Sequence, residues 1–313
     1  MRVRSAFLLL LCLVAGCGED TDGFTEIPLA LDFTPNAVHA GVYTAAQGRA
    51  DRRRGIELEV RVPSGSADSL KLLEAGRAAF ALVDIHDLGL ARERGLDVVG
   101  LGGIVQRPLA AVIARQGVTR PRQLEDKRVG VTGLPSDEAV LRAVVEHDGG
   151  DYQRVKKVTI GFSAVPSLIA GRVDAVVSFW NAEGVALRSR GVQTREFRVD
   201  GFGAPRYPEL VLATTREELE GNADLARRVV AALRDGTEAA LRDPDSAIER
   251  IVRASGADRD LVEAQFDAIA PALRPALRLD RAALEGWARF GAEFGILRRE
   301  PDVDEAFAIG APG

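Results

Sequence analysis

Ala75-Gly76-Arg77 leading into Phe80-Ala81-Leu82-Val83, and Ala170-Gly171-Arg172 leading into Val173-Asp174-Ala175-Val176-Val177, decide the fold. Each tripeptide closes an amphipathic stretch, and each apolar run that follows reads as a buried strand. A second match lies further along: Arg92-Glu93-Arg94-Gly95 pairs with Arg188-Ser189-Arg190-Gly191. The two offsets are 95 and 96 residues, close enough to imply duplicated lobes. Glycine suits such helix ends because it adopts the left-handed conformation without a Cβ penalty.

Around these anchors, short apolar runs alternate with amphipathic stretches. Strands are expected at 27–33, 56–62, 80–83 and 98–101, with helices near 36–50, 67–75 and 86–94. The rhythm recurs at 128–132, 155–160 and 173–177, with helices near 136–147, 164–170 and 181–190. This alternation predicts an α/β protein with parallel-type sheets and flanking helices. Apolar strands at 108–115 and 209–214 would carry the chain across and back. From 216 to 294 the pattern is helical, with Asn222-Ala223-Asp224 and Asp243-Pro244-Asp245 as helix starts. The expectation is a two-lobed periplasmic-binding-protein fold of type II with a helical C-terminal cap. Lobe 1 would comprise 27–112 and 209–313, and lobe 2 would comprise 113–208. A ligand would sit between the lobes, which would close by hinge motion.

Residues 1–17 read as a signal peptide: Arg2 and Arg4 precede a short apolar core, and Val14-Ala15-Gly16-Cys17 resembles a bacterial lipobox. Cys17 would carry the lipid anchor, with residues 18–26 as a tether. The chain would then be extracytoplasmic and held to the membrane through lipid alone. Its only other cysteine, Cys12, would leave with the leader. With 46 acidic against 41 basic residues, no nucleic-acid partner is expected. No Walker-type loop and no Gly-x-Ser-x-Gly elbow occur. Gly100-Leu101-Gly102-Gly103 lacks the third spaced glycine of a dinucleotide site. The histidines, His39, His86 and His147, lack metal-ligand spacing, so neither a metal nor a cofactor is expected.

Ligands of open α/β lobes collect at the C-terminal ends of strands. The candidate residues there are Asp32, Phe33, Asn36 and His39 after the first strand, and Ser64 after the second. Asp84 and His86 follow the lobe 1 repeat strand; Trp180, Asn181 and Glu183 follow its lobe 2 counterpart. At the repeat offset, Phe179 takes the place of Asp84 and Asn181 that of His86. An indole could stack on a flat ring while carboxylates accept from ring amines. Helix capping by Asn36, core packing by Trp180 and a helix-dipole role for Glu183 stand as the structural alternatives. Asp137 and Glu138, in the first turn after Gly133-Leu134-Pro135-Ser136, would repel phosphate. An acidic, aromatic pocket of this kind favours a neutral or cationic nitrogen heterocycle.

The run Asp32-Phe33-Thr34-Pro35-Asn36-Ala37-Val38-His39-Ala40-Gly41-Val42-Tyr43 closely resembles the pattern of the thiamine-pyrimidine family. That family comprises binding proteins for aminopyrimidine precursors of thiamine and a related fungal pyrimidine synthase. The resemblance implies that Asp32, Asn36, His39, Tyr43 and the Trp180–Glu183 loop face a pyrimidine. It also implies delivery to an ABC transporter permease. The family's binding proteins commonly have tryptophan where this chain has Phe33, and receptors for other flat molecules, riboflavin among them, are related. In the synthase, a reacting histidine corresponds to His86, but the cofactor lysine corresponds to Leu82 and the cysteine cluster to a cysteine-free run before Glu209. A receptor rather than an enzyme is therefore expected.

Overall fold

A computed structural model describes residues 24–63 and 68–310. The expected leader, Cys17, most of the tether and Ser64 lie outside the described residues. The alternating runs form ten strands: β1 (Thr25–Ala30), β2 (Ile56–Arg61), β3 (Phe80–Asp84), β4 (Val98–Gly103), β5 (Ala110–Arg115), β6 (Arg128–Val131), β7 (Lys156–Thr159), β8 (Ala175–Phe179), β9 (Thr194–Arg198) and β10 (Leu210–Thr215).

They build two five-stranded sheets, ordered β2-β1-β3-β10-β4 and β7-β6-β8-β5-β9. The orders superpose position by position, which is the duplication expected from the paired tripeptides. Gly76, Gly95, Gly171 and Gly191 all have positive φ, at 64, 94, 69 and 70°. The repeated glycines therefore mark left-handed helix ends, the role that selects glycine over any other residue.

The first three strands of each sheet pair in parallel, β1 with β2 and β3, β6 with β7 and β8. Each fourth strand is donated from across the lobe boundary and runs antiparallel: β10 between β3 and β4, β5 between β8 and β9. The sheets are thus mixed where parallel-type sheets were expected, because a strand returning from the other lobe enters in the opposite direction. Since β5 lies wholly in the second sheet, the first crossing falls ahead of Ala110 rather than after residue 112.

The strand β9, Thr-Arg-Glu-Phe-Arg, has no counterpart among the expected elements. It is an edge strand with only Phe197 fully buried, so its sequence carries charge in place of an apolar run. Helices of the C-terminal third pack on lobe 1, where the helices Ala40–Gln47 and Ala223–Arg242 make an extensive contact. Gly41 and Gly236 permit that approach: a Cβ on Gly41 would meet Thr237 Oγ1 at 2.2 Å, and one on Gly236 the Gly41 carbonyl at 2.4 Å. The helix Arg259–Ile269 touches both the turn Ala37–His39 of lobe 1 and the helix Glu183–Ser189 of lobe 2. No helix among the described residues is long and apolar enough to cross a membrane.

Candidate functional site

Asp32 lies just beyond β1, on the cleft-facing edge of lobe 1. Its Oδ1 is 2.7 Å from His39 Nε2. The Asn36 N–H donates to His39 Nδ1 at 3.1 Å, so Nε2 carries the proton and donates to Asp32. His39 is 0% exposed. Both ring nitrogens are thus engaged by protein, one of them by the Asp32 carboxylate. Asn36 is likewise spent locally: Oδ1 accepts from Val38 N at 3.0 Å and Nδ2 donates to the Thr34 carbonyl at 3.0 Å. The capping role weighed for Asn36 is the one the structure shows.

The neighbouring strand β3 ends at Asp84, whose Oδ1 accepts from His86 N at 2.7 Å and caps the next helix. Glu209, immediately before β10, shares a hydrogen bond with Asp84 and is itself 2% exposed. Burial, reinforced by Asp200 and Asp32, raises Glu209 to about 7. Burial, then Glu209 and Asp87, raises Asp84 well above the usual carboxylate range. Burial also raises Asp87, with Asp32 adding to it and Arg94 opposing. Asp32, Asp84, Asp87 and Glu209 thus form one electrostatic group at three adjacent strand ends.

His86 turns away from this group, toward Trp287 and Tyr207. Trp287 Nε1–H donates to its Nδ1 at 3.1 Å, and its Nε2 lies 3.1 Å from Tyr207 Oη. With Nδ1 accepting, Nε2–H donates to the phenol oxygen. Burial lowers its pKa to about 3, so the ring is neutral. A histidine saturated on both sides inside an aromatic cluster with Tyr207, Trp287 and Phe290 is a core element.

On lobe 2, β8 ends in Phe179, followed by Trp180-Asn181-Ala182-Glu183. Trp180 is 2% exposed, donates Nε1–H to the Pro108 carbonyl at 3.0 Å, and carries the Arg198 guanidinium 4.0 Å from its ring centroid. The indole is thus packed within the protein, with Arg198 over its ring. Glu183 opens the helix Glu183–Ser189, accepts from Phe179 N at 3.1 Å and is raised by burial. Asn181 is the unusual member: it is 3% exposed and its Oδ1 has no hydrogen-bond partner among the described residues. A buried carbonyl left unpaired is costly and calls for a donor.

The two edges meet through Leu109. Its N–H donates to Glu209 Oε2 at 2.7 Å and its carbonyl accepts from Trp180 N at 3.0 Å. Tyr43 is 7% exposed within the lobe 1 core, and burial raises its phenol. Phe33 is 39% exposed at the cleft mouth. Reading the sequence alone passes over Asp87, Glu209 and Phe162. Glu209 could have been found as the one acid heading a returning apolar strand, and Asp87 as the second acid beside His86.

Among the described residues no group of His, Cys, Asp and Glu could hold a metal ion. Two further surface grooves lie away from the carboxyl cluster, around Arg92, Asp97 and Arg216, and around Arg107, Arg198 and Asp200. Their arginines are paired with carboxylates, Arg216 with Asp97 at 2.8 Å and Arg107 with Asp200 at 2.7 Å, so neither offers a free anion site.

A family model described as NMT1/THI5 like matches residues 36–247. The formylaminopyrimidine-binding protein of Halalkalibacterium halodurans is 31% identical over 250 residues, covering 78% of this chain and 76% of that protein. The 4-amino-5-hydroxymethyl-2-methylpyrimidine phosphate synthase THI5 of Saccharomyces cerevisiae is 21% identical over 236 residues, covering 71% and 69%. In three dimensions the periplasmic aliphatic sulphonate-binding protein SsuA of Escherichia coli superposes with a TM-score of 0.75 at 13% identity, covering 90% of this chain and 97% of that one. The fold is the type II two-lobed α/β fold of periplasmic binding proteins.

Proposed function

The chain belongs to the NMT1/THI5-like family, and from that membership we propose that it is the solute-binding component of an ABC importer with an aminopyrimidine as ligand. The observation that carries this reading is an acceptor-rich carboxyl group on lobe 1 together with, on lobe 2, a buried Asn181 Oδ1 that has no hydrogen-bond partner among the described residues. An exocyclic amine has two N–H donors to divide between the lobes, and a protonated ring nitrogen matches Asp32. A sulfonate group has no donor to offer, and sulfonates and phosphates alike would bring negative charge toward four carboxyl groups. Asp32, Asn181 and Glu183 are the proposed contacts, with Tyr43 behind them and His39 orienting Asp32. Lipid anchoring through Cys17, an extracytoplasmic location and a permease partner belong to the same proposal.

The family also contains synthases, and two residues argue against that chemistry here. Leu82, where the resemblance places the cofactor lysine, has no amine and is 0% exposed. His86, where it places the reacting histidine, is neutral with both nitrogens committed to Trp287 and Tyr207.

A thermal-shift screen tests the proposal. Its panel holds formylaminomethyl- and hydroxymethyl-aminopyrimidine, thiamine, riboflavin, taurine and spermidine. Ligand at 100 times its Kd adds about 2.7 kcal/mol, a rise of roughly several degrees in Tm. The expected result is a shift with the aminopyrimidines. A shift with taurine alone, or with none of the compounds, would overturn the reading.

A further inference from the structure

Six large apolar side chains are exposed among the described residues: Phe24, Phe33, Val62, Leu134, Phe162 and Ile169. Four of them follow one rule of placement. Phe33 and Val62 lie just past the ends of β1 and β2; Leu134 and Phe162 lie just past the ends of β6 and β7. Those strands hold equivalent positions in the two sheets, at the end away from the crossing strands β10 and β5. The duplication therefore puts two apolar residues on each facing edge, at the part of the cleft that separates most when the lobes turn about their crossings. Across that gap the rings of Phe33 and Phe162 meet, with centroids 6.1 Å apart and planes inclined by 37°.

Phe162 is 70% exposed and Phe33 is 39% exposed, so neither belongs to a core. A phenyl group on a turn beside Gly161 gains little from folding; the opposite lobe touches it through Phe33 and leaves most of its surface exposed. Tilted rings at this separation are an attractive aromatic pair. At 6.1 Å they also leave no room for a third ring between them, since two stacked intervals require roughly 7 Å or more. A substituent pointing out through the mouth would have to part them.

We propose that Phe33 and Phe162, flanked by Val62 and Leu134, form an interlobe lip that closes the outer end of the cleft and sets the ligand's size limit. A single flat heterocycle with short substituents is retained behind the lip; a heterocycle extended by a second ring system is rejected. The inference rests on the receptor reading for its ligand class, and the lip itself is testable without any ligand.

Two measurements decide it. With Cys12→Ser and Cys17→Ser, the chain has no thiol of its own, so spin labels can be placed by Lys71→Cys on lobe 1 and Ile169→Cys on lobe 2. Phe33→Ala and Phe162→Ala should each reduce the short-distance population, with or without 4-amino-5-hydroxymethyl-2-methylpyrimidine. A distance distribution unchanged by both substitutions would overturn the lip. Stopped-flow dissociation of the same pyrimidine should accelerate roughly two- to tenfold in each variant, the span expected for one aromatic pair. The double variant should be no faster than the singles, and thiamine should gain affinity in all three. Additive effects with thiamine still rejected would overturn the size limit. Failure of the unaltered chain to bind any pyrimidine would overturn the functional reading and the size limit together, leaving the label distances to judge the lip.

Discussion

Glu209 Oε2 accepts the Leu109 N–H at 2.7 Å while its carboxyl group also engages Asp84. This buried acid, sitting on one crossing segment, therefore holds the other. Its pKa is raised from 4.5 to about 7, so the folded chain binds more protons than the unfolded chain between those values. Its stabilising effect is complete below about pH 4.5 and is lost as pH rises through about 7. We expect Tm to fall across that window, by an amount on the order of 3 kcal/mol in stability. Glu209→Gln retains an acceptor for Leu109 and should flatten the slope; an unchanged slope would refute the raised Glu209.

Asp32→Asn removes a charge that His39 holds in place, and should weaken an aminopyrimidine at least tenfold, about 1.4 kcal/mol. His39→Phe should weaken it by a similar factor through misplacement of the carboxylate. Combining the two should add little, because both changes disable one group. Titration calorimetry on the three variants checks this, and fully additive losses would assign His39 a contact of its own.

Asn181→Leu separates binding from folding. Removing an unpaired buried carbonyl should leave stability unchanged or slightly raised. Affinity for the aminopyrimidine should fall by about tenfold if that oxygen accepts from the ligand. A large loss of stability would show that the amide is paired within the protein. Glu183→Gln gives the matching test on the same loop, with a loss of at least tenfold expected.

His86 should stay neutral from pH 5 to 8 in imidazole NMR spectra, given a pKa lowered by burial to about 3. Trp287→Phe takes away the donor to its Nδ1 and should destabilise the fold by about 1–3 kcal/mol. Ligand affinity should not change. A titration near pH 6.5 would return His86 to the list of candidate contacts.

The architecture was legible because burial writes itself as apolar runs and chain reversal as glycine. Gly76, Gly95, Gly171 and Gly191 marked the duplication before any strand was paired. The duplication even locates the strand that went unread, since the offset of 96 residues carries Val98 onto Thr194, the first residue of β9. Side-chain roles were less legible. Sequence places Asp84, His86 and Trp180 at strand ends but does not say which partners turn them inward. Glu209 satisfies Asp84, Trp287 and Tyr207 satisfy His86, and Pro108 and Arg198 occupy Trp180. Each of those partners is distant along the chain, or lies in a segment with no motif.

Leu109 makes one bond to each side of the molecule, its N–H to Glu209 and its carbonyl to Trp180. The two groups belong to successive peptide planes that share a single Cα. If both bonds survive when the lobes part, rotation along this connection must pass through the φ and ψ torsions of Leu109. That residue then works as an axle with two degrees of freedom. A substitution that stiffens those torsions would slow opening and closing alike while leaving the shape of the closed cleft as it is.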